Sequence, residues 1–260
     1  LQLPHTVLMF LFGCACSTYA FMYPGEEGSI PWVIEYAQNV DPHVIFWVLL
    51  PILLFEDAFD CTWKVMERCL GSALLLALPG VALNACMTGA LIRATFWTTD
   101  AFADWPTAIM TGAILAATDP VAVIGALKVL KAPEKLANLI KGESLCNDGS
   151  AVVMFLVFRD LAEGKQLTVA EIIGQALHMI FGAAGLMSVV GLFMFTWISF
   201  TDDIICEVIL VLLYVYGVFY VSEVPSVGVS AVLAVVLVGF GFAKDGKYTF
   251  NPKNLHGIHK

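Results

Sequence analysis

The chain has 260 residues, 59% of them hydrophobic and 13% charged, where an ordinary soluble domain carries about 25% charged residues. With a mean hydropathy of +0.84 and no charged connecting region of domain size, it reads as a polytopic membrane protein and not as a soluble enzyme. The formal net charge of −9, with no basic patch, argues against nucleic acid as a partner.

About eight apolar runs can be drawn, at 7–23, 44–59, 70–96, 106–130, 137–158, 171–199, 206–222 and 227–243. Several fall short of the roughly 20 residues a spanning helix needs, which a bundle tolerates when helices begin at headgroup level. The chain opens on Leu1 with no leader of the secretory type and closes on a polar tail, so it reads as a piece of a longer protein.

The connecting segments alternate in charge. Segment 24–43 holds Glu26, Glu27, Glu35 and Asp41, whereas 60–69 holds Lys64 and Arg68. Asp100 and Asp104 follow in 97–105. The next turn carries Lys128, Lys131 and Lys135, with Lys141 just inside the run after it, and Lys244, Lys247, Lys253 and Lys260 end the chain. Basic segments face the cytoplasm, which puts both the first residues and the tail there. Arg159 and Lys165 fall on the outer side, accompanied by Asp160 and Glu163.

The second run, Leu50 to Phe59 (LPILLFEDAF), contains Glu56. That acid reads equally as a site carboxylate or as an interfacial group beside Asp57 and Asp60. The fourth run carries Thr118-Asp119-Pro120 at its middle. Pro120 has no amide hydrogen and its ring crowds the carbonyl four residues back, and it pushes Asp119 away from helical angles. The helix is therefore expected to unwind near 117–120. Freed backbone groups are tolerated in a membrane only inside protein or beside a wet cavity, where they can hold a cation. The plainer reading is a proline kink with Asp119 capping the second half-helix.

The fifth run contains Gly142-Glu143-Ser144-Leu145-Cys146-Asn147-Asp148-Gly149. Residues four apart share a helix face, so Ser144 and Asp148 point one way and Glu143 and Asn147 form the neighbouring stripe. A carboxylate with a hydroxyl supplies hard oxygens of the kind Na⁺ accepts, and a desolvated carboxylate can take a proton instead. Acids inside apolar helices are expensive and commonly mark ion or proton paths. The plainer reading is a polar contact between helices.

Other features suggest less. His178, inside the sixth run, reads as a packed neutral side chain. Seven cysteines stand singly, without metal or redox spacing, and read as buried thiols. Trp32, Trp47, Trp63, Trp97 and Trp105 lie near run ends, as an interfacial belt or as core. Gly182-Ala183-Ala184-Gly185 suits close helix contact.

Four stretches, Leu50 to Phe59, Ala117 to Val123, Gly142 to Asp148 and Leu210 to Glu223, together resemble the sodium/proton exchanger family, and the paired TDPVAV and GESLxND motifs are specific. The Glu in LPILLFEDAF looks most like the plant salt-tolerance and microbial branch. Cys146, where relatives usually carry Leu or Met, departs mildly. The resemblance implies an all-α membrane domain with inverted repeats, two broken helices crossing at midplane, and a homodimer. This chain would hold the second to ninth spans in residues 1–260. It also implies that Asp148 is the shared Na⁺/H⁺ carboxylate, that Thr118, Asp119, Ser144 and Glu56 line or support the site, and that Glu143, Asn147 and Pro120 support it. Asn at 147, where electrogenic relatives carry Asp, implies electroneutral exchange. The Arg that pairs with Glu143 in the family has no counterpart here.

The activity so implied is antiport of Na⁺ (or K⁺) against H⁺ by a multi-pass protein of the bilayer, more in keeping with the plasma membrane than an organelle, with no resident cofactor and no enzymatic chemistry. The alternatives are a K⁺/H⁺ exchanger of an internal membrane, a transport-inactive scaffold or sensor of the same fold, and an intramembrane hydrolase.

Overall fold

A computed structural model describes residues 5–23, 25, 29–96, 102, 104–201 and 203–246. Among them the regular structure is helical throughout. In a bilayer this is one of only two ways to satisfy every backbone group, the other being a closed barrel.

Helix α1 (His5–Met22) is followed by α2 (Ile30–Gln38), and the two lean on each other. The acidic segment 24–43, expected as a plain connection, thus contains a short helix, opened by Pro31 in its first turn, where a missing amide hydrogen costs nothing. Next, α3 (Pro42–Val44) runs through a π-helical turn (Ile45–Leu49) into α4 (Leu50–Phe59). The widened turn lies just ahead of Pro51, whose ring an unmodified α-helix would drive into the carbonyl of Trp47. Tyr216 Oη donates to the Val48 carbonyl in that turn at 2.6 Å.

Helix α5 (Trp63–Thr95) is 33 residues long and starts well before the apolar run at 70. Lys64 and Arg68 therefore ride on its first turns and not on a loop. Lys, Met, Glu and Arg are good helix formers, so the helix continues past the point where hydrophobicity stops.

The run at 106–130 is two helices, α6 (Trp105–Ala116) and α7 (Val121–Val129), with residues 117–120 outside helical structure between them. Then come α8 (Glu134–Ala162), α9 (Val169–Ile198), α10 (Ile204–Glu223) and α11 (Ala231–Gly241), closed by a π-helical turn (Phe242–Gly246).

Three of these helices, α5, α9 and α10, are long and apolar enough to cross a membrane, judged among the described residues. Apolar but shorter are α6, most of α1, and α11 with the turn after it. Outward faces carry large apolar side chains such as Leu75, Leu83, Leu91, Phe181, Leu192 and Phe193, a surface suited to hydrocarbon and not to water. The chain is an integral membrane protein.

Two groups of helices carry the packing. In one, α11 is buried along nearly its whole length against α4, α8, α9 and α10, as expected of a helix apolar on every side. In the other, α5, α6 and α8 pack on one another. The inner stripe of α5 is almost all small: Cys69, Ala73, Ala77, Val81, Ala85 and Gly89. A β-carbon on Gly112 of α6 would strike the Ala85 carbonyl, and one on Gly89 would come within 2.8 Å of Ile109 Cα. Small residues every fourth position let these backbones meet.

Some sequence expectations divide here. Trp47 packs on Phe219 and Trp63 on Phe240, so both are core more than belt. Trp105 is exposed and takes Arg93 over its ring, and Trp97 lies outside the described residues. Cys61, Cys69 and Cys146 are buried, but Cys14, Cys86 and Cys206 are exposed. His178 is exposed too, with Nε2 3.2 Å from the Val227 carbonyl. In that contact Nε2 must be the donor, since the carbonyl can only accept.

Candidate functional site

The site begins with the break between α6 and α7. Pro120 supplies the first carbonyl of α7, accepting from Ile124 N at 2.8 Å. Upstream, Ala117 is extended (φ −67°, ψ 124°). The unwound segment is held from α8: Ser144 Oγ donates to the Thr118 carbonyl at 2.8 Å and Asn147 Nδ2 donates to Thr118 Oγ1 at 3.0 Å. Both donors are buried. The break is thus held by two side chains, one serving the Thr118 carbonyl that the unwound backbone leaves without a helical partner and one serving its hydroxyl.

Ser150, one turn further on α8, donates to the carbonyls of Asn147 and of Ala77 on α5. Asn138 near the start of α8 donates to Glu134 O and accepts from Thr62 N. Polar groups thus tie α8 to both α5 and the break. Gly142 and Gly149 sit tight against Met66 and Leu233.

Asp148 is half-buried on α8, one residue from Asn147. The charges of Asp119, Asp57 and Glu143 all reach it, so four acids share one neighbourhood, a setting that favours a cation or a proton. Thr118, Glu143 and Asn147 line a cavity of about 330 Å³ together with Asn84 of α5 and apolar side chains. Asn147 Oδ1 is buried and accepts no hydrogen bond. Among the described residues no three His, Cys, Asp or Glu side chains gather closely enough to hold a metal ion. A cation here would therefore draw on hydroxyl, amide and carbonyl oxygens as well as carboxylate.

Of the residues singled out in the sequence, Thr118, Ser144 and Asn147 are joined directly. Asp119 and Glu143 lie close enough for their charges to act on Asp148, and Pro120 starts the half-helix. Glu56 is exposed on α4 and, like Ser144, Asp119 and Asp148, lines neither this cavity nor the larger one beside it. The acid of α4 that reaches α8 is its neighbour Asp57, which pairs with Lys141 at 3.5 Å.

Residues 1–259 match the model of the sodium/hydrogen exchanger transmembrane family. This protein belongs to the sodium/hydrogen exchanger family. The chain is 34% identical to sodium/hydrogen exchanger 7 of Arabidopsis thaliana, over 99% of its own length and 22% of that protein's. It is 31% identical to the Na⁺/H⁺ antiporter ApNhaP of Aphanothece halophytica, over 97% and 45%. It is 30% identical to the low-affinity Na⁺/H⁺ antiporter NhaS1 of Synechocystis, over 97% and 44%. The chain therefore spans less than half the length of these relatives.

Sequence reasoning missed several residues that the fold brings to this region. Asn84 carries no motif. The Asp57–Lys141 pair joins positions too far apart in sequence for any local spacing to suggest it.

Proposed function

We propose that the protein carrying this chain exchanges Na⁺ for H⁺ across a membrane, one for one, by competition at Asp148. The observation that supports it is the pairing of an unwound mid-helix segment with an acid-bearing helix: Thr118 is clamped by Ser144 and Asn147, and Asp148 follows on the same helix. An unwound backbone beside a half-buried carboxylate offers oxygens for a small cation and one group that can hold a proton in its place.

In this reading Asp148 binds Na⁺ or H⁺ but not both. Thr118, Ser144 and Asp119 support the cation, and Glu143, Asn147 and Pro120 keep the local structure. Asn147 adds no second charge, which suits electroneutral exchange. A site neutralised by either ion can change the side it faces, and the ion gradients set the direction. Na⁺ is preferred to K⁺ because the relatives bear the names of sodium/hydrogen exchangers. The fold would be part of an inverted-repeat domain, roughly its second to ninth spans, working as a homodimer in the plasma membrane.

The test is Na⁺-driven proton movement in sealed vesicles containing the complete protein. Asp148→Asn should abolish it while the variant still elutes as a folded species. Exchange retained in that variant would overturn the assignment.

A further inference from the structure

Lys141 lies on α8 seven residues before Asp148. Seven residues are two turns, so the two side chains leave the same face, roughly 10 Å apart along the axis. Lys141 Nζ is 3.5 Å from Asp57 Oδ1 on α4; the lysine side chain is 21% exposed and the aspartate 58%. Both line a funnel of about 650 Å³ at the end where α4 and α7 finish and α5 and α8 begin, with Asp60 and Glu134 also on its wall. By the charge pattern of the connecting segments this is the cytoplasmic end. Asp57 also acts on Asp148, so the acid of the pair lies within electrostatic range of the proposed ion site, and Lys141 stands two turns from Asp148 on the same helix.

A lysine two turns from a cation site opposes cations, and an aspartate beside that lysine cancels the opposition. We infer that the Asp57–Lys141 pair sets the apparent affinity of the Asp148 site for cations arriving through the funnel, acting through net charge and not as a ligand. This rests on the reading of Asp148 as the exchange site. Removing Lys141 bares Asp57 and strengthens cation binding. Removing Asp57 bares Lys141 and weakens it. Removing both leaves the local charge nearly as it was. A unit charge at about 10 Å, at effective dielectric constants of about 20 to 80, corresponds to roughly two- to fifteenfold in KM.

The experiment measures Na⁺-driven proton flux in vesicles containing the complete exchanger, for wild type, Lys141→Gln, Lys141→Met, Lys141→Arg, Asp57→Asn and the double variant Asp57→Asn/Lys141→Gln. Lys141→Gln and Lys141→Met should lower KM for Na⁺ on the funnel side by that factor and leave the maximum rate within about twofold. Asp57→Asn should raise KM, the double variant should return to near the wild-type value, and Lys141→Arg should match wild type. The shifts should shrink at high ionic strength set with an impermeant salt, as the Debye length shortens. An unchanged KM in the Lys141 variants overturns the inference while the Asp148 assignment stands. So does a loss of maximum rate shared by the Lys141 and Asp57 variants, which would make the pair a structural tie. Absence of Na⁺-driven flux in the wild type overturns the Asp148 reading and this inference together. If Lys141→Gln fails to fold, Lys141→Met is judged by the same criteria.

Discussion

Ser144 and Asn147 show how much one hydrogen bond decides. Each is a short polar side chain in an apolar helix, and each finds its partner on a backbone segment that has no helix of its own. Ser144→Ala removes the donor to the Thr118 carbonyl and should cost about 1 kcal/mol, read as a lower unfolding midpoint in detergent, with a weaker apparent Na⁺ affinity in vesicles. Asn147→Ala removes the donor to Thr118 Oγ1 and should cost about 1 kcal/mol as well, since Thr118 is exposed. The motif residues were legible because oxygen-bearing side chains are rare in apolar runs. The choice between Glu56 and Asp57 was not: adjacent residues on a helix differ by about 100° in direction, and only the position of α8 decides which of the two acids meets a partner.

At the scale of elements, the closest contact is α5 against α6. Gly112→Ala pushes a methyl group into the Ala85 carbonyl, and a backbone atom cannot move aside as a side-chain tip can. Destabilisation of about 1–3 kcal/mol is expected, as for overpacking in general, measured by thermal unfolding. Gly185→Ala on α9 is the control: a β-carbon there meets nothing within 4 Å, and Ala is the better helix former by about 1 kcal/mol. It should be neutral or mildly stabilising. The start of α9 has its own lock. Thr168 Oγ1 accepts from Glu171 N, and Glu171 Oε2 accepts from Thr168 N at 2.7 Å. Thr168→Ala should cost about 1 kcal/mol. The break at 117–120 could be read from Pro120 alone, whereas the early start of α5 and the existence of α2 could not, since hydropathy marks the edge of hydrocarbon and not the end of a helix.

At the scale of the whole molecule, one cluster of charges lies where α8 gives way to α9. Beyond the 137–158 run, Asp160 is buried at the turn from α8 to α9. Lys165 approaches at 2.9 Å and Arg159 at 3.5 Å, and Gln175 Nε2 donates at 3.1 Å. Burial pushes the Asp160 carboxyl up, but the hydrogen bonds from Lys165 and Gln175 and the charges of Lys165 and Arg159 outweigh it and hold the group below the ordinary carboxylate range. A carboxylate depressed in the folded state adds stability that is present above its unfolded value, about 3.9, and is lost as pH falls through the lower folded value. Wild type should therefore lose more thermal stability than Asp160→Asn as pH drops from about 6 to below 4, by unfolding midpoint at each pH. Equal slopes would show that the cluster contributes nothing to acid sensitivity.

Composition and the long apolar runs pointed to a polytopic membrane protein, because so few charges in so apolar a chain leave little that water could solvate. Two short motifs pointed to a broken helix and a carboxylate-bearing neighbour, since proline and buried acids have strong local consequences. The tertiary arrangement decided what those local rules cannot reach. It placed α11 at the centre, brought Ser144 and Asn147 onto Thr118 across more than 20 residues, and set Lys141 on Asp57 from another helix. Such contacts depend on which faces meet once the helices dock, and no periodicity within a single helix encodes its partner.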